Sequence, residues 1–263
     1  MNAAFSTFLD RALIVAREAA DAAAVVMRKY YRRNVAVEIK ADRTPVTVAD
    51  REAEAAIKKV LKREFPDHAF YGEELGREGD GEFLWLIDPI DGTKAFVRGY
   101  PLFSTQIALR HRDVLVLGVS SAPEFCETAW ARSGGGAFLN GERVHVASTS
   151  VLDASAAISI GNVKTLTSDM RWNVLGELIR RTGRIRGYGD FLHYHLLARG
   201  CIDLVIESDV NILDIAALAV IVREAGGVFS DLTGGELSLH TSSVLAGTVP
   251  LHAAALTMFR DID

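Results

Sequence analysis

The sequence predicts an α+β half followed by an α/β half, layered on each other about a shared cleft. Three observations predict it. Apolar residues recur at intervals of three and four from Phe5 to Tyr30, which reads as one long amphipathic helix. From Ser104 to Val146 apolar and polar residues alternate through several short runs broken by turn residues, which reads as a group of strands. After about Ala147 helical and strand patterns take turns, the texture of an α/β unit. The expected division is 1–146 and 147–263, with no repeat, low-complexity segment or flexible linker between.

Each element has its own signal. The first helix gathers Phe5, Phe8, Leu9, Ala12, Leu13, Ala16, Ala19, Ala20, Ala23, Val26, Met27 and Tyr30 on one alanine-rich face. The basic run that follows, Arg28 to Arg33, reads as a solvated helix end whose cations complement the dipole, not as a binding patch. A turn at Asp42-Arg43-Thr44-Pro45 leads to a second helix, TVADREAEAAIKKVLKREF, capped by Thr47 or Asp50. FLWLID (Phe83 to Asp88) has strand length and is ended by Pro89. STQIALR, VLVLGVSS, ETAWARS and GAFLNGERVHV follow as strands, with Asn140-Gly141 as a hairpin turn and Gly134-Gly135-Gly136 as a second chain reversal. In the second half MRWNVLGELIRRT is helical, IRGYG extended, DFLHYHLLARG helical, DLVIE a strand, and DIAALAVIVREAGG a helix stopped by Gly226-Gly227.

Composition excludes several function classes. Hydrophobic residues make up 49% and charged residues 24%, so a sizeable core is available in an ordinary soluble chain of 263 residues. Twenty-nine basic against 34 acidic side chains leave a net charge of −5, which argues against a nucleic-acid partner. An anionic substrate must then be held by something other than bulk positive charge, and bound cations would meet that need. Cys126 and Cys201 lie far apart in no CxxC pattern, so the expectation is reduced, buried thiols of a cytoplasmic protein. Asp10, Arg11, Arg17 and Glu18 interrupt the first helix and exclude a signal peptide. The most apolar stretch, Leu213 to Val222, contains Asp214 and is too short to span a bilayer, so no membrane partner is expected.

The segment WLIDPIDGTKAF concentrates the chemistry. A strand runs into Asp88, Pro89 forces an extended turn, Asp91 follows, and Gly92-Thr93 permits a bend whose backbone N–H groups can face an anion if Lys94 begins a helical turn. Paired carboxylates on such a turn form a hard-oxygen site suited to Mg²⁺. Taken alone the segment fits a surface turn with an Asx cap equally well. Glu73 alone would read as a solvated loop residue and Asp214 alone as a helix N-cap.

Together these segments resemble the inositol monophosphatase family, whose pattern runs GEE, DPIDGT and WDxAA after a Lys and a Thr-x-x-Asp segment. Here the residues are Lys40, Thr47-Val48-Ala49-Asp50, Gly72-Glu73-Glu74, Asp88 to Thr93, and Leu213-Asp214-Ile215-Ala216-Ala217, in the family's order and over most of the chain. The resemblance implies the layered α+β and α/β sandwich of that family and a Mg²⁺-dependent phosphomonoesterase acting on a small-molecule phosphate ester. It implies that Glu73, Asp88 and the Ile90 carbonyl hold one Mg²⁺, that Asp88, Asp91 and Asp214 hold a second, and that a third, weaker ion sits near Glu73. Most ligands then fall in 1–146, and 147–263 completes the site. Gly92 and Thr93 would bind phosphate, and Thr93 with Asp50 resembles the dyad that orients and deprotonates the attacking water. Mn²⁺ would substitute and Li⁺ inhibit, and the protein would be a homodimer. No phosphoenzyme is expected, and GxSxG, HExxH and P-loop motifs are missing from the sequence. Leu213 stands where the family commonly has Trp, a departure that touches the rim of the site.

For the substrate, Glu207 lies where the family places a carboxylate that contacts the organic portion, and Asp190 stands where inositol-type members have a small residue. Two acids there suit a cationic leaving group, and DGTKAFVRG, YGDFLHYHLLARGCIDLVIE and VREAGG resemble the histidinol-phosphate phosphatase branch. The alternative for Asp190 is a plain N-cap of the helix it opens, which would fit a broad inositol-1-phosphate phosphatase. A fructose-bisphosphate or nucleotide phosphatase would need a further basic cluster. A third possibility is a protein partner of the transcription machinery, a role some relatives have; the full ligand set argues that catalysis is kept. His193 and His195 are expected to be packing or surface residues and not metal ligands.

Overall fold

Alanines along one face of helix α1 (Ala3–Tyr30) let it lie close against helix α2 (Val48–Glu64). The face expected from the sequence is the buried one: Leu9, Ala12, Ala16, Ala19, Ala20, Ala23 and Met27 pack with Ala53, Ile57 and Leu61 of α2. The computed structural model describes residues 3–33, 37–39, 45–167 and 170–260. The expected turn falls, from Asp42 to Thr44, outside the described residues, as does Lys40. On either side of that gap β1 (Val37–Ile39) pairs antiparallel with β2 (Pro45–Thr47). At the end of α1, Lys29 and Tyr30 bond both oxygens of Glu52 on α2, so part of the basic run ties the two helices together.

The two helices cover one side of a large sheet. Its strands are β3 (Ala69–Gly72), β4 (Gly76–Glu78), β5 (Phe83–Asp91), β6 (Ser104–His111), β7 (Val114–Ala122), β8 (Glu127–Arg132), β9 (Gly136–Leu139) and β10 (Glu142–Val144). They lie in the order β10-β9-β8-β7-β6-β5-β3-β4, and only the β3–β5 pair is parallel. Asn140 (φ 52°) and Gly141 (φ 90°) form the expected hairpin turn, left-handed at both central residues. The reversal at Gly134 to Gly136 joins β8 to β9, and Glu224 clamps it by accepting the N–H groups of Gly134 and Gly136 at 2.8 Å each.

Past a short helix α3 (Thr93–Arg98) and the rest of the first sheet, the chain enters a second one. It takes in β11 (Ala157–Gly161), β12 (Arg184–Arg186), β13 (Leu204–Ser208), β14 (Val228–Ser230) and β15 (Ser243–Gly247), in the order β12-β11-β13-β15-β14. The accompanying helices are α4 (Val163–Leu166), α5 (Arg171–Arg181), α6 (Asp190–Ala198), α7 (Ile212–Glu224) and α8 (Val249–Arg260).

Helices α6 and α7 lie between the sheets. Leu84, Leu86 and Ala108 of the first sheet meet Val205, Val244 and Ala246 of the second through Phe191, Leu197, Ile215 and Leu218. This is why α7 is apolar all round: from Ile215 to Val222 every side chain is buried. On the far side of the second sheet Leu175, Leu178, Leu251 and Phe259 of α5 and α8 pack on Ile158, Leu204 and Leu245. The result is a helix–sheet–helix–sheet–helix sandwich. Among the described residues no helix is long and apolar enough to cross a membrane. The two thiols are free, as expected, but exposed and not buried. Cys126 sits at the turn between β7 and β8 with φ 53°, and Cys201 in the turn between α6 and β13, neither of which offers apolar cover.

The tightest point of the sandwich is Gly118 on β7, where an added methyl would stand 2.3 Å from the Ala217 carbonyl oxygen of α7. Both neighbours are backbone held in a sheet and a helix and cannot step aside cheaply. Gly118→Ala should cost about 1–3 kcal/mol of stability, read from urea unfolding. A wild-type midpoint would show that the layers are looser than this contact implies.

Candidate metal and phosphate site

Strand β5 positions the first two acids. Asp88 pairs with Gln106 of β6 and Asp91 with Ser104, so three steps on β5 match two on β6 and one residue is extra. In a regular strand residues three apart face opposite sides. The irregularity at Pro89-Ile90 cancels that and brings Asp88 and Asp91 to one side. The strand therefore does not end at Pro89, as the sequence suggested, but bulges there and runs on to Asp91. The Ile90 N–H donates to Asp88 Oδ1 (3.0 Å), while the Asp91 Oδ2 accepts from the Ser104 hydroxyl (3.0 Å) and the Gln106 amide (3.3 Å).

Two helix N-termini supply further acids by one local device. In α2 the Thr47 hydroxyl caps the Ala49 N–H while the Thr47 N–H and hydroxyl donate to Asp50 Oδ2 at 2.7 and 2.6 Å. In α7 Asn211 caps Leu213, and its backbone and side-chain N–H groups donate to Asp214 at 2.9 and 2.8 Å. Both are capping boxes with Asp at the third position, which fixes each carboxylate at the mouth of its helix. Asp214 thus belongs to the cap without being the N-cap residue, and Thr47, not Asp50, is the N-cap of α2. Helix α3 opens with Gly92 in the left-handed region (φ 86°), and its first N–H groups have no intrahelical partner by construction. Thr93 Oγ1 lies 3.0 Å from the Ile90 carbonyl and 3.3 Å from Asp50 Oδ1.

These groups converge. One oxygen from each of Asp88, Asp91 and Asp214 lies within 4.8 Å of the others. They line a cleft of about 440 Å³ together with Glu73, Ile90, Gly92, Thr93, Lys94, Asp190 and Asn211. Asp50 reaches this wall through Thr93. Burial first, then the charges of Glu73, Asp91 and Asp214, hold the Asp88 carboxyl well above its usual range. Burial, then Asp190 and Asp214, do the same to Asp91. Asp214 is pushed up to about 7 by burial and by Glu73, against the Asn211 N–H bond that favours the anion. Asp50 rises by burial, opposed by its bonds from Thr47. A buried, all-oxygen set whose members resist ionising together is what a hard divalent cation relieves, so the residues present fit such an ion.

Beside the cluster Asp190 and Glu207 share a small chamber with Asp91, Tyr194 and Asp214. Glu207, nearly fully buried, accepts from the Tyr194 hydroxyl (2.6 Å) and bonds His193 Nε2 (3.0 Å), whose Nδ1 lies 3.3 Å from Ser159 Oγ. Asp190 is the first residue of α6 at φ 46°, and the N-cap is Gly189, with no side-chain capping bond. Its carboxylate is therefore not the helix cap that the alternative reading required. Burial and the Glu207 charge push it up to about 6, against His193 and Lys94.

Sequence reasoning missed the residues that support these acids. Ser104 and Gln106 are two polar side chains on one face of an apolar strand, a pattern that marks them in hindsight. Asn211 repeats the Thr47-x-x-Asp50 spacing. His193 and His195 are fully buried, not surface residues, and both are hydrogen-bonded: His195 bridges Glu127 (3.2 Å) and Ser120 (2.9 Å). Leu213, expected at the rim, is buried in the core between the sheets.

Residues 9–262 match the inositol monophosphatase family. The chain belongs to that family. It is a phosphatase, a phosphoric monoester hydrolase of a family that uses divalent metal ions. Among its curated relatives, the histidinol-phosphatase of Streptomyces coelicolor is 39% identical, over 90% of this chain and 91% of that protein. The histidinol-phosphatase of Mycobacterium tuberculosis is 38% identical, over 93% and 96%. Among solved structures, the extragenic suppressor protein suhB of Bartonella henselae superposes with a TM-score of 0.86 at 29% identity, covering 95% of this chain and 98% of that one.

The metal-free phosphatase has a definite pH signature. Asp214 holds its proton more tightly folded (about 7) than at its ordinary value of 3.8, so its contribution to stability is complete below about 4 and lost as pH rises through about 7. If the ionised cluster is the cation's site, added Mg²⁺ should raise Tm more at pH 8 than at pH 5.5, and Asp214→Asn should raise Tm of the metal-free protein at pH 8. Equal Mg²⁺ shifts at both pH values would mean that the cluster is not the ion's site.

Proposed function

We propose that this phosphatase hydrolyses histidinol phosphate to histidinol. What carries the reading is the pair Asp190 and Glu207, two acids that share a small chamber, Asp190 half-buried and freed from helix capping, Glu207 buried and braced by Tyr194 and His193. Histidinol phosphate brings an ammonium and a titratable imidazole to such a place, whereas inositol brings only hydroxyls. The names of the two bacterial relatives point the same way.

Glu73, Asp88, the Ile90 carbonyl, Asp91 and Asp214 would hold Mg²⁺, which when bound would offset charge on the phosphate and the leaving oxygen. The backbone N–H groups at Gly92 and Thr93 would take phosphate oxygens at the start of α3. Thr93 Oγ1, already donating toward the Ile90 carbonyl or Asp50, would orient a water against phosphorus on the side away from the leaving group. Asp50, its carboxyl raised by burial, would accept that water's proton, and the second oxygen of the carboxylate stays anchored by Thr47.

Thr93→Ala and Asp50→Asn should each lower kcat by about 10²–10⁴ while KM changes little, read from released phosphate. A wild-type kcat in either would remove the dyad.

Asp190→Asn tests the substrate. A charge-assisted contact is worth about 1.5–3 kcal/mol, so kcat/KM for histidinol phosphate should fall about ten- to a hundredfold while small neutral esters are spared. An enzyme that prefers inositol-1-phosphate, or a variant that loses both substrates equally, would sink the assignment.

A further inference from the structure

Helix α2 carries a second buried acid that the reaction does not use. Glu54 lies one turn after Asp50, on the same face, and is fully buried. It pairs with Lys58 at 3.0 Å, itself almost completely buried. Its oxygens also accept the N–H of Glu74 at 2.7 Å and the N–H of Leu75 at 3.2 and 3.3 Å. These are the two amides that follow Glu73. Glu73 is fastened on its other side as well, since its own N–H donates to the Ile87 carbonyl (3.2 Å), one residue before Asp88. Gly72 completes the arrangement: an added Cβ there would stand 1.9 Å from Glu54 Oε1, so only glycine leaves the carboxylate room to reach the turn.

A buried ion pair is a poor way to stabilise a helix, because an apolar pair of similar volume serves as well or better. The pair makes sense through what else it holds. We infer that Glu54 is a positioning residue: it grips the Gly72–Leu75 turn and thereby presents Glu73 to the cation. The inference rests on the reading of Glu73 as a metal ligand. Without the grip, Glu73 sits on a turn whose ordering must be supplied at each binding event, and metal affinity falls. Partners that orient metal ligands in this way change affinity about ten- to a hundredfold when removed.

The test compares Glu54→Ala/Lys58→Met with Glu54→Gln/Lys58→Met in the full chain. Both lose the ion pair, but only glutamine keeps an oxygen for the turn amides. Mn²⁺ binding to the metal-free protein, followed by the electron paramagnetic resonance of free Mn²⁺, is the readout, with Tm measured alongside. The alanine variant should bind about ten- to a hundredfold more weakly, and the glutamine variant should stay close to wild type. Wild-type affinity in the alanine variant, whatever its Tm, overturns the inference, as does equal weakening in both. Glu73→Gln is the control: if it leaves Mn²⁺ affinity unchanged, the ligand reading of Glu73 fails, and the inference with it. Should the alanine variant not fold, Gly72→Ala serves instead, because its methyl displaces the carboxylate from the amides. The same loss is expected there, and unchanged affinity is again fatal.

Discussion

Crowding of like charge in a closed place is the constraint on which the rest of this fold depends. Asp88, Asp91 and Asp214 bring carboxylate oxygens within 4.8 Å of one another, two of the three residues buried, with Glu73, Asp190 and Glu207 close enough to feel them. Such a cluster opposes folding unless its members stay protonated or a cation enters. Each acid is accordingly held by a separate local device: a bulge for Asp88 and Asp91, capping boxes for Asp50 and Asp214, a braced carboxylate at Glu207. Each of these devices uses backbone, hydroxyl, amide or imidazole groups, so the four carboxylates and Glu207 keep their places against their mutual repulsion.

The sandwich supplies the force that local devices lack. Asp214 opens α7 and Asp190 opens α6, the two helices enclosed between the sheets. Their termini cannot retreat from the cluster without pulling apolar surface from both layers. Close approach at Gly118 and at Gly72 shows the same economy at two scales: glycine stands where backbone must meet backbone, and where a buried carboxylate must meet a turn.

Much of the site was legible in the sequence, because its residues come in short runs whose chemistry is local. Asp88, Asp91, Gly92 and Thr93 lie within six consecutive residues, and the structure brings Asp50, Glu73, Asp190 and Asp214 to the same cleft. The long helices were legible too, since α1 and α2 each show one apolar face. What was not legible depends on distant pairing. β3, β4, β11, β14 and β15 are three to five residues long, too short for a period to declare itself. The supports of the acids, Ser104, Gln106, Tyr194, His193 and Glu54, are ordinary polar residues until a partner far along the chain is known. The two cysteines failed for the opposite reason: thiols are commonly buried, and nothing in the sequence marked Cys126 and Cys201 as turn residues.

The distribution of charge in the cleft answers the difficulty posed by a net charge of −5 and an anionic substrate. Lys94 is the one basic residue among the described residues that line it, and it is exposed. Backbone N–H groups at a six-residue helix and one exposed lysine are a weak hold on a dianion facing several carboxylates. On the proposed reading, affinity for phosphate would be conditional on cations that the acids themselves collect, so that the same carboxylates would exclude the substrate when empty and attract it when loaded. Beside the cluster, Asp190 and Glu207 would on the same reading be left to take a positively charged organic group. One acidic cleft would in this way bind opposite charges at neighbouring points, the difference lying in which carboxylates the cations occupy.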